Sequence, residues 1–202
     1  MTSVTLVDLG LGNMHSVAQA LARAGAEPRL VREPAAAKGA ERLVVPGQGA
    51  FRDCGAALMA GWGDMLRDFL ATERPYLGIC LGMQLLFEGS DEAPDAEGLG
   101  WVGGRVTRFA EGRRDEEGKV LKVPHMGWAS IQASHPLVDN DGWYYFVHSY
   151  RCEPSEDVTV ATANYGGDFC AAIAKGSVFA CQFHPEKSQL RGQRLLQRFL
   201  QV

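Results

Sequence analysis

The chemistry this chain could perform centres on one cysteine. In "YLGICLGMQLLFE", residues 76–88, an apolar strand candidate ends in Gly78-Ile79-Cys80-Leu81-Gly82 and passes into a helix candidate. A strand that turns sharply into a helix through Gly-x-Cys-x-Gly has the form of a nucleophile elbow. Side chains beside the turn would strike neighbouring strands, so glycines flank it, and the Cys80 sulfur projects from the carboxyl edge of the sheet. The N-terminus of the following helix also favours a thiolate there. A buried thiol that only fills space fits the same five residues, because free cysteine packs like a small hydrophobe.

A nucleophilic thiol needs a base, and the base an orienting group. The chain has five histidines: His15, His125, His135, His148 and His184. His184 lies in "CQFHPEKS", directly after a strand candidate, and Pro185 keeps the chain extended. Glu186, two residues on, projects to the same side and can fix the imidazole tautomer. Cys80, His184 and Glu186 therefore form a coherent triad in chain order, although His-Pro-Glu alone reads equally as a surface loop. Acyl chemistry also needs oxyanion donors. The Leu81 N–H, just after the nucleophile, is one candidate, and "VVPGQGAF", residues 44–51, offers another in its Pro46–Gly49 loop. That loop reads equally as an ordinary strand-to-helix turn. Gly10-x-Gly12 resembles the start of a dinucleotide fingerprint, but the third position is His15 rather than Gly or Ala, so no nucleotide cofactor is expected.

The elements that must hold these residues follow from hydrophobic pattern. "VTLVDL", "EPRLV", "RLVVPG" and "PYLGIC" read as strands, alternating with helix candidates in "NMHSVAQALARAG", "FRDCGAALMAG" and "GDMLRDFLAT". Asn13 is a plausible N-cap and Gly25 a stop. Almost wholly apolar strands alternating with helices predict an α/β fold: a mainly parallel central sheet with helices on both faces. After about Gly98 short β-rich pieces with Gly, Asn and Asp turns predict hairpins in the C-terminal half, and "SQLRGQRLLQRFLQ" predicts a last helix. No linker or repeat divides residues 1–202, so a single domain is expected.

Bulk properties narrow the class. The chain of 202 residues is 46% hydrophobic with a net charge of -4, which implies no broad cationic surface for nucleic acid or an anionic membrane. No stretch approaches the roughly 18 apolar residues of a membrane span, and the N-terminus lacks the basic and apolar regions of a leader. Five dispersed cysteines without a C-x-x-C pair suggest neither a disulfide framework nor a metal site, and a reducing cytoplasm fits best. Arg113-Arg114 reads as a solvated hairpin tip.

"PGQGAF", "GICLGMQLLFE" and "FHPEKS", in that order, resemble the class I (triad-type) glutamine amidotransferases, over nearly the whole chain. The resemblance implies hydrolysis of L-glutamine through a γ-glutamyl thioester, with Cys80 as nucleophile, His184 as base and acid and Glu186 as orienter, and with neither cofactor nor metal. Within that class, "DLGLGNMHSVAQAL", "VPHMGW" and "YFVHSY" are similar to the branch that serves imidazole glycerol phosphate synthase as glutaminase subunits. The length fits a separate subunit in a heterodimer with a cyclase. The resemblance places Gln84, Glu92 and the backbones of Gly47, Gly49, Ser149 and Tyr150 around the glutamine. It places Met126, Trp128, Tyr145 and Lys187 at the cyclase, a (β/α)8 barrel that receives the ammonia away from bulk water. From the residues alone, Trp128, Tyr144, Tyr145 and Phe146 read equally as core aromatics, and Tyr150 and Lys187 as surface or cap residues. Two departures stand out. The family's Asp-Tyr-Gly is Asp8-Leu9-Gly10 here, and the third residue of Pro-Gly-x-Gly, often Val, is Gln48, in a peptide whose flip is associated with completing the oxyanion hole.

Overall fold

In a computed structural model of the chain, which describes residues 2–202, the first strands are β1 (Thr2–Val7), β2 (Ala26–Val31), β3 (Leu43–Gly47) and β4 (Tyr76–Cys80). Between them run α1 (Met14–Ala24), α2 (Pro34–Ala37), α3 (Phe51–Ala57) and α4 (Gly63–Leu70), the last two separated by a kink at Ala60 and Gly61, where Gly61 has φ 102°. A one-turn helix, α5 (Leu81–Gln84), follows β4. Then come the short strands β5 (Gly89–Ser90), β6 (Ala93–Glu97) and β7 (Gly104–Arg108). The second half holds β8 (His125–Ala133), β9 (Gly142–His148), β10 (Tyr150–Pro154), β11 (Thr159–Asn164), β12 (Asp168–Lys175) and β13 (Val178–Cys181), and α6 (Gln189–Phe199) ends the chain.

The strands run in the order β2-β1-β3-β4-β13-β12-β10-β7-β5-β6, with β11, β8 and β9 continuing from β12 as a side branch. The first five are parallel to their neighbours. From β12 onward the pairing is antiparallel except between β5 and β7. The expected parallel centre and the expected hairpins therefore share one sheet.

Alternation along the central strands builds a core on each face. Leu43 and Val45 join one cluster with Phe51, Leu66, Phe69 and Met83. Val44, Leu77 and Ile79 join the other with Leu21, Leu195 and Phe199. α3 and α4 thus cover one face, and α1 and α6 the other. Asn13 caps α1 by accepting from the Ser16 N–H at 3.2 Å, and Gly25 ends it with φ 104°. Both follow the sequence pattern, since a left-handed stop is open to glycine without steric cost.

One element differs from expectation. The helix after Cys80 is a single turn, and the chain then folds into β5 and β6 instead of continuing helically. Gly98 and Gly100 lie beneath it, and the N–H groups of Leu99 and Gly100 bond to the carbonyls of Leu85 and Phe87. These long-range bonds satisfy the backbone that a longer helix would have used. A one-turn helix supplies little macrodipole, so the helix end expected to favour a thiolate is a weak one.

Candidate active site

Register assembles the site before any side chain is considered. Gly47 is level with Cys80 across β3 and β4, and Cys181 is level with Ile79 across β13 and β4. The carboxyl ends of three adjacent parallel strands therefore bring together the Pro46–Gly49 loop, Cys80 and the Gln182–Glu186 segment. Crevices at that edge of an open α/β sheet are where such folds place ligands.

Cys80 itself has φ 55° and ψ −106°. A non-glycine residue in this region is strained by roughly 1–3 kcal/mol and persists only where surrounding structure enforces it. The glycines on either side explain how. A Cβ at Gly82 would run into the Val45 carbonyl oxygen, and one at Gly78 into the Gly82 carbonyl. The elbow closes only because both positions lack side chains.

Cys80 lines a cavity of about 340 Å³ together with Gln48, Gly49, Leu81, Gln84 and Glu92. Ser149, Tyr150 and Lys187 also line it, so the structure brings these residues together at one cavity, and Lys187 reaches the Tyr145 ring as well. Gly47 is buried beneath Leu81. Gln84 donates from Nε2 to the Gln182 Oε1 at 3.0 Å and to the Tyr150 carbonyl at 3.4 Å, which leaves its own Oε1 as the free acceptor. Glu92 accepts from the Phe51 N–H at 2.7 Å through Oε2. That bond anchors the start of α3, two residues past Gly49, to the cavity wall.

His184 and Glu186 lie behind this cavity, with side chains 1% and 3% exposed. His184 Nδ1 is 2.8 Å from Glu186 Oε1, which fixes the imidazole proton on Nδ1 and leaves Nε2 facing the cysteine side. Nε2 is buried and has no hydrogen bond of ordinary length. Burial pulls the His184 pKa down, but the Cys80 thiolate and then Glu186 outweigh it and raise it to about 9. The arrangement favours the charged form of the His184 imidazole beside the Cys80 sulfur.

The other four cysteines are buried free thiols, as Cys80 is. Burial, chiefly, pushes Cys170 up to about 11 and Cys54 to about 12, and raises Cys152 and Cys181 well above the ordinary thiol range. None of them lines this cavity. The filler alternative therefore describes these four, and Cys80 alone combines a strained turn, an open wall and a histidine partner.

A family model described as "Glutamine amidotransferase class-I" matches residues 5–202. The chain belongs to this family. Among curated amidotransferase relatives, a protein named imidazole glycerol phosphate synthase subunit HisH from Methylococcus capsulatus is 46% identical, over 99% of this chain and 96% of its own length. A protein of the same name from Syntrophotalea carbinolica is 45% identical over 97% of this chain and 98% of its own. Two solved structures share the amidotransferase fold. One, titled glutamine amidotransferase, has a TM-score of 0.76 at 22% identity and covers 98% of this chain and 97% of its own. The other, PurLQS from Thermotoga maritima, has a TM-score of 0.73 at 16% identity, covering 100% and 98%.

The remaining expected residues of this amidotransferase chain sit on the hairpin of β8 and β9. Strand alternation sorts the aromatics: Tyr144 and Phe146 are fully buried, whereas Trp128 is 42% and Met126 63% exposed. Trp128 lies opposite Tyr145 across the hairpin, ring centroids 5.9 Å apart, and the Lys187 ammonium is 5.9 Å from the Tyr145 ring. Trp143, 55% exposed, continues the same outward face. It was absent from the sequence expectations, yet its position two residues before Tyr145 would have placed it there. Met126, Trp128 and Trp143 are thus large apolar side chains exposed on one face of the hairpin.

His125 packs among aromatic rings, and His148 is a buried residue of the cavity wall. His125 stacks on Tyr165 with centroids 4.0 Å apart, and His148 Nδ1 lies 2.7 Å from the Tyr150 carbonyl. Burial lowers both, to about 4 and about 3 respectively, so each is neutral at ordinary pH. Among the described residues no cluster of metal-ligating side chains occurs, and no helix is long and apolar enough to cross a membrane.

Proposed function

We propose that this chain is a glutaminase subunit that hydrolyses L-glutamine and delivers the ammonia to the cyclase subunit of an imidazole glycerol phosphate synthase, in histidine biosynthesis. The observation that carries the assignment is full-length similarity at 46% identity to a relative bearing that synthase subunit's name.

The chemistry follows from the site. His184 Nε2 takes the Cys80 proton, and the sulfur attacks the γ-carbonyl carbon of glutamine. The Leu81 N–H, which at the first turn of a helix has no intrahelical acceptor, and the Gly47–Gln48–Gly49 loop receive the oxyanion. His184 then protonates the departing nitrogen, and ammonia leaves the γ-glutamyl thioester. Water, deprotonated by His184, attacks the thioester, and glutamate departs as the sulfur regains its proton. Glu186 holds the tautomer and compensates the imidazolium throughout.

Recognition of the amino-acid end is supported by hydrogen-bond arithmetic. With Gln84 Nε2 spent on protein acceptors, its Oε1 can only accept. Together with the Glu92 carboxylate it suits an α-ammonium group, which leaves the backbone of Ser149 and Tyr150 for the α-carboxylate. The outward face of Met126, Trp128 and Tyr145, with Lys187 beside it, supports a cyclase contact next to the catalytic segment.

Glutamine labelled with heavy nitrogen at its side chain tests the assignment. With the cyclase subunit and its phosphoribulosyl aminoimidazole carboxamide substrate present, the label is expected in the imidazole product, and turnover without the partner is expected to be low. Efficient transfer to a different synthase, with none to this cyclase, would reassign the subunit.

A further inference from the structure

Gln182 is 0% exposed and lies within the cysteine's reach, although nothing in the triad requires it. Its place is set by register. Cys181 is level with Ile79, so Gln182 and Cys80 leave neighbouring strands side by side. The Gln182 N–H donates to the Ala171 carbonyl at 2.9 Å, which holds its backbone on the antiparallel neighbour. Its side chain is then fully committed at both ends. Nε2 donates to the Cys80 sulfur at 3.4 Å, and Oε1 accepts from Gln84 Nε2 at 3.0 Å.

We infer that Gln182 is a further catalytic residue, a buried amide that donates to the reacting sulfur and fixes which end of Gln84 faces the substrate. A donor aimed at sulfur favours the thiolate over the thiol, because hydrogen bonds to a charged acceptor are the stronger kind. It also holds the sulfur in one direction within the elbow. The same amide helps to orient Gln84: reversing Gln84 would set its oxygen against the Gln182 Oε1 and the Tyr150 carbonyl, so its oxygen is held toward the cavity. One buried side chain thereby couples the nucleophile to the residue facing the amino-acid end of glutamine. The inference rests on Cys80 being the nucleophile of the proposed glutaminase.

The test is the pH profile of Cys80 alkylation by iodoacetamide in the full chain, read by peptide mass at Cys80, beside labelling of the unaltered chain by a glutamine-mimicking diazo ketone. Gln182→Leu removes the donor at similar size. Its Cys80 is expected to alkylate about ten- to a hundred-fold more slowly at pH 7, with the midpoint displaced upward, since a hydrogen bond to a charged group is worth that order of rate. Should the leucine variant fail to fold, Gln182→Glu keeps the acceptor for Gln84 but offers the sulfur no donor, and the same upward displacement is expected. A folded variant of either kind with the unaltered rate and midpoint overturns the role of Gln182. Failure of the diazo ketone to label Cys80 in the unaltered chain with the cyclase subunit present overturns the nucleophile itself, so the two failures are told apart.

Discussion

The main-chain N–H of His184 donates to the carbonyl oxygen of Tyr145 at 2.9 Å. Ser188 closes the link: its Oγ donates to the His184 carbonyl at 2.6 Å and accepts from the Tyr145 N–H at 3.0 Å. Tyr145 packs against Trp128 on the outward face, while His184 faces the thiol. The base and the proposed partner surface are therefore parts of one hydrogen-bonded unit. Ser188→Ala leaves the Tyr145 N–H without its acceptor, while the His184 carbonyl keeps the Lys187 N–H at 3.0 Å, at a cost of about 1–3 kcal/mol. Denaturant unfolding is expected to show that loss, and glutamine turnover to fall with it. Unchanged stability and turnover would separate the two sites.

The protonated form of His184 ties stability to pH. Its folded pKa of about 9 lies above the ordinary 6.5. Below pH 6.5 the imidazole is charged in both folded and unfolded chains, and the full benefit is present. As pH rises toward 9 the folded chain loses the proton and the benefit disappears. Cys80→Ala removes the largest raising influence. Unfolding free energy is expected to decline between pH 6.5 and 9 in the unaltered chain and to decline less in Cys80→Ala. Parallel profiles would contradict an imidazolium held by the sulfur.

Acid acts through different histidines. His125 and His148 are held neutral, with folded values of about 4 and about 3 against 6.5 unfolded. Protons thus bind the unfolded chain first, and stability falls as pH drops from 6.5 toward 3. Replacing His125 with Phe keeps a ring to stack on Tyr165 and Phe146. That variant is expected to lose less stability across this window, as measured by denaturant titration at several pH values.

Much of this was legible beforehand for physical reasons. Parallel strands buried on both faces leave continuous apolar runs, and a tight elbow demands glycines at fixed offsets, so β3, β4 and Cys80 stand out in the chain. The short α5 was not legible, because its stop comes from bonds to Leu99 and Gly100, more than a dozen residues away. Gln182 was hidden differently. Inside an apolar strand end it shows no pattern of its own, and only the β4–β13 register reveals what its amide meets. Trp128 and Tyr145 required the hairpin pairing before alternation could divide them from Tyr144 and Phe146.

The loop before α1 bears on the oxyanion loop. Gly12 has φ 105°, and a Cβ there would sit 3.0 Å from the Gln48 nitrogen and 3.3 Å from its Cβ. Gly12→Ala is therefore strained in its own backbone and presses on the Gln48 peptide. Because misplaced oxyanion donors act on the transition state, kcat is expected to fall about ten- to a hundred-fold with KM for glutamine little changed. A rise in KM alone would assign the contact to substrate binding.

The central claim is that Cys80 is the sulfur that attacks glutamine. Intact-mass analysis after exposure to a glutamine-mimicking diazo ketone, with the cyclase subunit present, addresses it most directly. One adduct on the unaltered chain, located at Cys80 by peptide mapping and absent from Cys80→Ala, is the predicted result. An adduct on Cys54, Cys152, Cys170 or Cys181, or no adduct at all, would contradict it.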